Sequence, residues 1–355
     1  MRRNASTIYA VVITLALATG FLHAFYFAWE SGTTATVLCI VGLALGVVFA
    51  PIVHELGHVV FAKSQNMECV YVKCFCFRVY KKDGKQRFAL ASPFSADQTQ
   101  VLPKSGGNMQ NRAIKYTLGG LIFSGIFAVV ILSFGVVFQI FGVNAFLLWG
   151  SLPYAGYLFL LNVAPAEYAG GKTDMLVYCG IKTGADAEKT MLSAMQIHGE
   201  LYEGKSFTEI DESYYFHLPQ LCEDEPLFAV MLDLRYRYYL EKGDEERAVA
   251  CLNRLAEIGE YLTDAEIQKI SAELTYMHSV RGDLERAEVS AKLCKDFLRG
   301  NTPTAKRVLI AYSKAVGNTD AVAILKKQAQ DAMATERLLG VRKAENILLS
   351  RIETL

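Results

Sequence analysis

Four long apolar segments occupy the first half of the 355-residue chain, whereas the second half mixes apolar and charged positions as water-soluble proteins do. Each segment is about as long as an α-helix must be to cross a hydrocarbon core of roughly 30 Å. The segments cover about residues 7–29, 33–63, 113–141 and 145–163. We therefore expect an α-helical polytopic membrane protein with about four transmembrane helices, followed by a soluble domain.

The first apolar segment also fits a cleaved signal peptide, because two arginines precede it. Its length, about 22 residues, exceeds the usual apolar core of a signal peptide, and further membrane segments follow it. We expect it to be retained as the first transmembrane helix.

The segment between the second and third helices has β-strand rather than helical character. Residues 70–80 are rich in Val, Tyr, Phe and Cys, and the Asp83-Gly84 pair separates them from a second such run at 88–91. An Asp-Gly pair between two β-prone runs is typical of a hairpin. We expect a small β-hairpin insertion at about 68–92 and a loop from 92 to 111.

The cations favour one orientation in the membrane. The two interhelical turns on one side, near residues 30–32 and 142–144, contain no Lys or Arg, whereas the 63–115 stretch contains ten. Because cytoplasmic loops are enriched in Lys and Arg, the N-terminus, the 64–112 segment and everything after 164 are expected in the cytoplasm. The predicted location is the cell membrane, with several passes. The formal net charge of zero gives no reason to expect a nucleic-acid partner.

The second half, residues 181–355, reads as a series of helices with short breaks. Gly243 and Gly282 each precede an alanine by five residues, Ala248 and Ala287, and a poorer copy begins at Gly317. This spacing indicates a tetratricopeptide-like helical-repeat domain that binds a cytoplasmic protein partner, or, as the alternative, an irregular α-bundle. The membrane domain would cover residues 1–180.

The chemistry is concentrated in an H-E-x-x-H sequence inside the second apolar segment. His54 and His58 lie one helical turn apart on one face, so both imidazoles can reach one Zn²⁺ ion. Glu55 is displaced around the helix, where its carboxylate can act on water as a general base. Ionisable residues at bilayer depth are costly and are rarely present without a function. The alternative is a polar cluster that binds no metal.

Zinc needs a third protein ligand, and the exit of the fourth helix offers two carboxylates. Pro165 and the Gly170-Gly171 pair interrupt the helix and allow the chain to fold back toward the metal. Asp174 is the preferred ligand and Glu167 the alternative. The alternative role for Asp174 is that of N-cap of a helix that begins at Met175, and the two roles are compatible.

These residues resemble the site-2 protease family of intramembrane zinc metalloproteases. The shared features are the His54–His58 motif, the Asn162-x-x-Pro165 sequence, a hairpin before the third helix and Gly120, which is followed by Ser124 where the family often has Asn. The resemblance implies zinc bound by His54, His58 and Asp174, a catalytic Glu55, and substrate contacts by Asn162 and Ser124. Here Asp174 follows the proline by nine residues instead of the usual five or so, and Met175 replaces the usual Gly.

The resemblance implies hydrolysis of peptide bonds in membrane-anchored protein or peptide substrates near the cytoplasmic face. A different class of function is a non-catalytic membrane scaffold that holds a partner through its helical repeats. A metal or ion transporter is the third class, and it ranks last because the third and fourth apolar segments contain no His, Asp or Glu near the midplane.

Overall fold

The computed structural model describes residues 2–82, 85–93, 97–168 and 171–354 and divides into two compact units. The first unit comprises residues up to 102 together with 108–188, and the second comprises 103–107 together with 189–355. The sequence predicts a single boundary at residues 180 and 181. The chain instead passes from one unit to the other at three points, because a five-residue segment near position 105 belongs to the second unit.

Four helices in the first unit are long and apolar enough to span a membrane: α1 (Arg2–Glu30), α2 (Thr33–Ser64), α3 (Met109–Ile140) and α4 (Phe146–Val163). Their bounds agree with the four predicted segments to within a few residues at most ends. Many large apolar side chains on these helices are exposed, as expected for surfaces that face lipid. The protein is a membrane protein, and this part of the predicted fold class is confirmed.

Glycines allow three of these helices to pack closely. A Cβ atom at Gly57 of α2 would lie 2.3 Å from the carbonyl oxygen of Gly119 on α3, and one at Gly150 of α4 would lie 2.0 Å from the carbonyl oxygen of Cys39 on α2. Small residues at such crossings let helix backbones approach within the membrane. The consequence is that the H-E-x-x-H turn of α2 packs directly against α3.

The segment between α2 and α3 forms a four-stranded sheet, not a single hairpin. Its strands are β1 (Met67–Cys74), β2 (Phe77–Lys82), β3 (Lys85–Leu90) and β4 (Gln98–Pro103), in the order β3-β2-β1-β4. The antiparallel β2–β3 pair matches Lys82 with Lys85. The predicted turn residues, Asp83 and Gly84, lie outside the described residues.

Two features of this sheet were not predicted, and each has a physical cause. A tight turn at Phe75, with φ of 51°, splits the first β-prone run into β1 and β2. Strand β4 lies where a loop was predicted, and Asp97 fixes its start: one oxygen of Asp97 accepts hydrogen bonds from Lys73 Nζ (2.9 Å) and from the backbone N–H of Phe75 (2.8 Å). These contacts join residues more than 20 positions apart, which a local pattern does not reveal.

After α4 the chain folds back through two short strands, β5 (Glu167–Tyr168) and β6 (Gly171–Lys172), into helix α5 (Asp174–Thr183). The chain then enters α6 (Asp186–Glu203). The predicted break in helical structure after Pro165 is therefore present, as a short hairpin.

The described part of the second unit is mostly helical. Three consecutive helix pairs dominate it: α8 (Pro226–Lys242) with α9 (Glu245–Glu257), α10 (Asp264–Val280) with α11 (Leu284–Leu293), and α13 (Pro303–Ala315) with α14 (Thr319–Thr335). The remaining helices are α7 (Ser213–Phe216), α12 (Lys295–Leu298) and α15 (Leu339–Thr354).

The three pairs share one turn geometry. A glycine with positive φ (Gly243, Gly282 or Gly317) follows the end of each first helix within two residues, and the next residue, an Asp or Asn, caps the second helix with its side-chain oxygen. Ala248 and Ala287 are fully buried where the paired helices meet. The sequence pattern therefore corresponds to three helical hairpins of similar local structure.

Candidate metal centre

The H-E-x-x-H turn lies in the cytoplasmically predicted half of α2, which continues as a helix through Pro51. His54, Glu55 and His58 are buried, with 6%, 4% and 5% of their surfaces exposed. Burial of three ionisable side chains between apolar helices requires partners that compensate for lost hydration.

Asp174 completes a compact group with the two histidines. Its Oδ2 atom lies 3.3 Å from His54 Nε2 and 3.3 Å from His58 Nε2, and the two Nε2 atoms are themselves 3.3 Å apart. These three atoms thus form an equilateral triangle and can hold a metal ion. Asp174 Oδ2 is buried and has no hydrogen-bond partner among the described residues.

The size of this triangle fits tetrahedral metal coordination. A tetrahedral zinc ion bonded at about 2.0–2.1 Å separates its ligand atoms by about 3.3–3.4 Å. Three ligand atoms at this separation leave a fourth position for water or substrate. The donor set of two imidazoles and one carboxylate is also one that zinc accepts.

The peptide around Thr173 brings Asp174 to the group. Thr173 Oγ1 donates to the carbonyl oxygen of Ala164 (2.7 Å) and accepts from the backbone N–H groups of Ala166 (3.2 Å) and Leu176 (3.3 Å). Thr173 is therefore the N-cap of α5, and the predicted N-cap role of Asp174 is wrong. Because the threonine satisfies the helix end, the carboxylate of Asp174 is left for the histidines.

The alternative ligand, Glu167, is exposed in β5 and does not belong to the group formed by the described residues. Asn162 is not part of the group either. The hydrogen bond described for its side chain is within its own helix, from Nδ2 to the carbonyl oxygen of Leu158 (3.1 Å). The structure thus brings together three of the predicted residues, His54, His58 and Asp174, with Glu55 next to them in sequence.

Helix α3 orients both imidazoles through their outer nitrogens. His54 Nδ1 lies 2.8 Å from Ser124 Oγ, and His58 Nδ1 donates to the carbonyl oxygen of Tyr116 at 3.0 Å. Such partners fix the ring orientation and turn Nε2 toward the metal position. Ser124, predicted to contact substrate, here contacts a histidine.

Gly120 on the same helix leaves room for the group. A Cβ atom at this position would lie 2.4 Å from His58 Nε2 and 2.8 Å from His54 Nε2. Any side chain would therefore displace the two rings. The sequence could not assign this role, because it depends on the distance between α2 and α3.

Glu55 is held by strand β4. Thr99 Oγ1 donates a short hydrogen bond to Glu55 Oε2, and Tyr116 donates from its hydroxyl to the carbonyl oxygen of Thr99 (2.6 Å). Thr99 was predicted to lie in a loop and Tyr116 had no predicted role. Thr99 and Tyr116 thus lie between Glu55 and His58, and each uses its hydroxyl for one contact and its backbone carbonyl for the other.

The group contains two carboxylates, those of Asp174 and Glu55. Burial alone would raise the pKa of Asp174, but its contacts with His54 and His58 outweigh this effect and lower the pKa to about 2, so the carboxylate is ionised at neutral pH. In the described part of the chain no Lys or Arg pairs with Asp174 or Glu55. A bound divalent cation would neutralise this charge.

No protein-family model, curated protein or solved structure matches this chain. The assignment of a function therefore depends on the geometry described above.

Proposed function

We propose that the protein is an intramembrane zinc metalloprotease of the site-2 protease type, which hydrolyses peptide bonds of membrane-anchored protein or peptide substrates. The observation that carries the proposal is the convergence of His54 Nε2, His58 Nε2 and Asp174 Oδ2 at 3.3 Å from one another, beside Glu55 and among apolar helices. This arrangement combines three metal ligands, a fourth open position and a neighbouring carboxylate.

Zinc is the metal we propose, held by His54, His58 and Asp174. When bound, it would polarise a substrate carbonyl and lower the pKa of a coordinated water toward about 7. The chain's own groups would do the rest. Glu55 would accept a proton from the attacking water and pass it to the leaving amine. Ser124 and the carbonyl oxygen of Tyr116 would hold the imidazoles in place while this occurs.

We also propose that both termini and the sheet are cytoplasmic, so that cleavage occurs near the cytoplasmic face of the cell membrane. Supporting this orientation are the cations of the sheet, such as Lys81, Lys85 and Arg87, and the absence of Lys and Arg from the two opposite turns in the sequence. Asn162, near the end of α4, remains a proposed substrate contact.

A scaffold function is the second candidate, and the second unit favours it. Three helical hairpins with the same glycine turn are what a tetratricopeptide-like partner-binding domain would contain. The two functions are compatible, since such a domain would recruit a protein partner or the tail of a substrate. They differ in whether Glu55 is needed.

The Glu55→Gln variant separates them. Membrane peptides from cells that carry the intact protein or this variant would be compared by mass spectrometry, together with the metal content of each purified protein. We expect uncleaved substrate to accumulate in the variant, with a rate loss of about 10²–10⁴-fold and unchanged metal content, because a general base contributes that much.

Glu241→Gln is a matched control, because Glu241 is equally buried in the second unit, where it accepts bonds from the backbone of Phe207 and from Thr208. It should leave the peptide profile unchanged. A profile that is identical for the intact protein and for Glu55→Gln would reject proteolysis and favour the scaffold.

A further inference from the structure

A five-residue excursion of the chain links the second unit to strand β4. The chain is part of the first unit through Leu102, contributes residues 103–107 to the second unit, and returns to the first at Asn108. Strand β4 ends at Pro103, so the strand that contacts Glu55 continues directly into this excursion.

Helix α6 packs closely against the backbone of residues 103–107. His198 Nδ1 lies 3.0 Å from the carbonyl oxygen of Pro103. A Cβ atom at Gly199 would lie 2.3 Å from the carbonyl oxygen of Ser105, and one at Gly106 would lie 3.1 Å from the side chains of Gln196 and Glu200. This close backbone contact fixes the position of residues 103–107 on α6.

The connection from this contact to the candidate site is short and extended. Only three residues separate Thr99 from Pro103, and four steps of extended chain cover about 13 Å. An extended strand cannot lengthen much further, so a displacement of residues 103–107 also displaces Thr99. Thr99 in turn is bonded to Glu55 by its hydroxyl and to Tyr116 by its carbonyl oxygen.

We propose that Thr99 is a positioning residue for Glu55 and that the second unit sets its position through residues 103–107. This inference rests on the proposed role of Glu55 as a general base. Binding of a protein partner to the helical hairpins would then alter the placement of Glu55 without touching the metal ligands. The second unit would act as a regulatory domain, not only as an anchor.

The contact between α6 and residues 103–107 is tested in the full chain with Gly199→Ala, whose added methyl must displace the backbone at Ser105. Gly340→Ala is the matched control, since its methyl would lie 1.9 Å from the carbonyl oxygen of Lys205, elsewhere in the same unit. Amide hydrogen exchange of β4, zinc content and cleavage of membrane peptides would be measured for both.

We expect faster exchange across β4, normal zinc content and a loss of cleavage of up to about 10²-fold in Gly199→Ala, because small displacements of catalytic groups can cost that much. Gly340→Ala should match the parent in all three. If Gly199→Ala does not accumulate, His198→Ala, which removes atoms without adding any, serves instead. Unchanged exchange in β4, or an equal change in Gly340→Ala, would reject the connection.

The role of Thr99 is tested with an isosteric pair. Thr99→Val keeps the shape and removes the hydroxyl, whereas Thr99→Ser keeps the hydroxyl. We expect Thr99→Val to lose cleavage and Thr99→Ser to retain it, while Co²⁺ added to the metal-free protein gives the same visible spectrum in both. A Thr99→Val protein that cleaves normally would overturn the assignment.

The exchange measurement distinguishes the two proposals. If β4 loosens only in Gly199→Ala and yet the parent protein cleaves no membrane peptide, the mechanical connection stands and the proposed proteolysis fails.

Discussion

Each unit buries a cluster of charged side chains, and the two clusters are built in opposite ways. In the second unit Arg307, with no exposed surface, donates to both oxygens of Glu273 (2.9 and 2.8 Å) and to Glu345 (2.7 Å). Asp233 nearby pairs with Arg237 (3.1 Å) and Lys269 (2.8 Å). Three cations thus face three carboxylates, and the cluster supplies its own counter-charges.

Among the residues that the structure describes in the first unit, no Lys or Arg pairs with the cluster around Asp174. Asp174 and Glu55 face two imidazoles, whose Nε2 atoms converge with a carboxylate oxygen instead of pairing with a charged amine or guanidinium. In the cluster of the second unit each buried charge is compensated by a direct partner, whereas the converging acceptors at 3.3 Å have the separation of ligand atoms around a tetrahedral metal ion. The comparison therefore distinguishes a cluster of compensated ion pairs from a group that could hold a metal ion.

The largest expected effect comes from filling the space beside the triangle. Gly120→Ala would place a methyl group 2.4 Å from His58 Nε2 without changing a ligand. We expect the purified variant to lose its metal, measured by plasma mass spectrometry. Gly135→Ala on the same helix, whose methyl would lie no closer than 3.3 Å to its nearest neighbour, the Trp149 ring, should keep its metal. Full metal content in Gly120→Ala would refute the position assigned to the ion.

The second prediction concerns the cluster of ion pairs around Arg307 in the second unit. Arg307→Met leaves Glu273 and Glu345 buried without their cation, so we expect the second unit to lose about 3–5 kcal/mol of stability. Arg299→Met, which removes an exposed pair with Asp296, should cost at most about 1 kcal/mol. Amide exchange of the second unit measures both. A normal metal content in Arg307→Met would support the distinction between this cluster and the His54–His58–Asp174 group, and a loss of metal would weaken it.

A smaller effect is expected at the partners of the histidines. Ser124→Ala removes the group beside His54 Nδ1, and loss of such a partner lowers metal affinity by about 10–100-fold. Competition with a chelator of known affinity would measure this change. Ser151→Ala is a suitable control, because Ser151 is a buried helix serine whose hydroxyl donates to its own helix, at the carbonyl oxygen of Leu148. Equal affinities in the two variants would contradict the assignment of Ser124.

The smallest effect is a loss of stability in acid. Burial alone would raise the pKa of Asp233 and of Glu273, but neighbouring cations outweigh it and hold both pKa values below their ordinary 3.8 and 4.5. Carboxylates with lowered pKa values stabilise the fold above those ordinary values and lose the contribution as pH falls. We expect exchange protection of the second unit to be constant from pH 7 to about 5 and to decline below about 4.5. A decline that begins near neutral pH would contradict this source.

The four membrane helices and the histidine pair could be predicted because both depend on local spacing. An apolar run of sufficient length predicts a span, and positions 54 and 58 fall on one helix face whatever the surroundings. Asp174 could be predicted as a ligand because it is the first carboxylate after the Gly170-Gly171 pair. The sequence did not predict that Thr173, and not Asp174, caps helix α5 and so leaves the Asp174 carboxylate available to the histidines.

The remaining parts of the site depend on contacts between distant segments. Thr99 meets Glu55 across 44 positions, and Ser124 meets His54 across 70. Strand β4 has few apolar residues, and its order is maintained by Asp97 and by α6 through Pro103. No periodicity in the sequence reveals such anchors. The space that Gly120 leaves is likewise a property of helix packing.

Metal analysis of the purified protein tests the central claim most directly. The intact chain, purified without chelator, should contain about one zinc ion, and a variant with His54 and His58 both changed to Ala should contain none while its four membrane helices still fold. An intact protein without stoichiometric metal, or a double variant with the same metal content, would contradict the account.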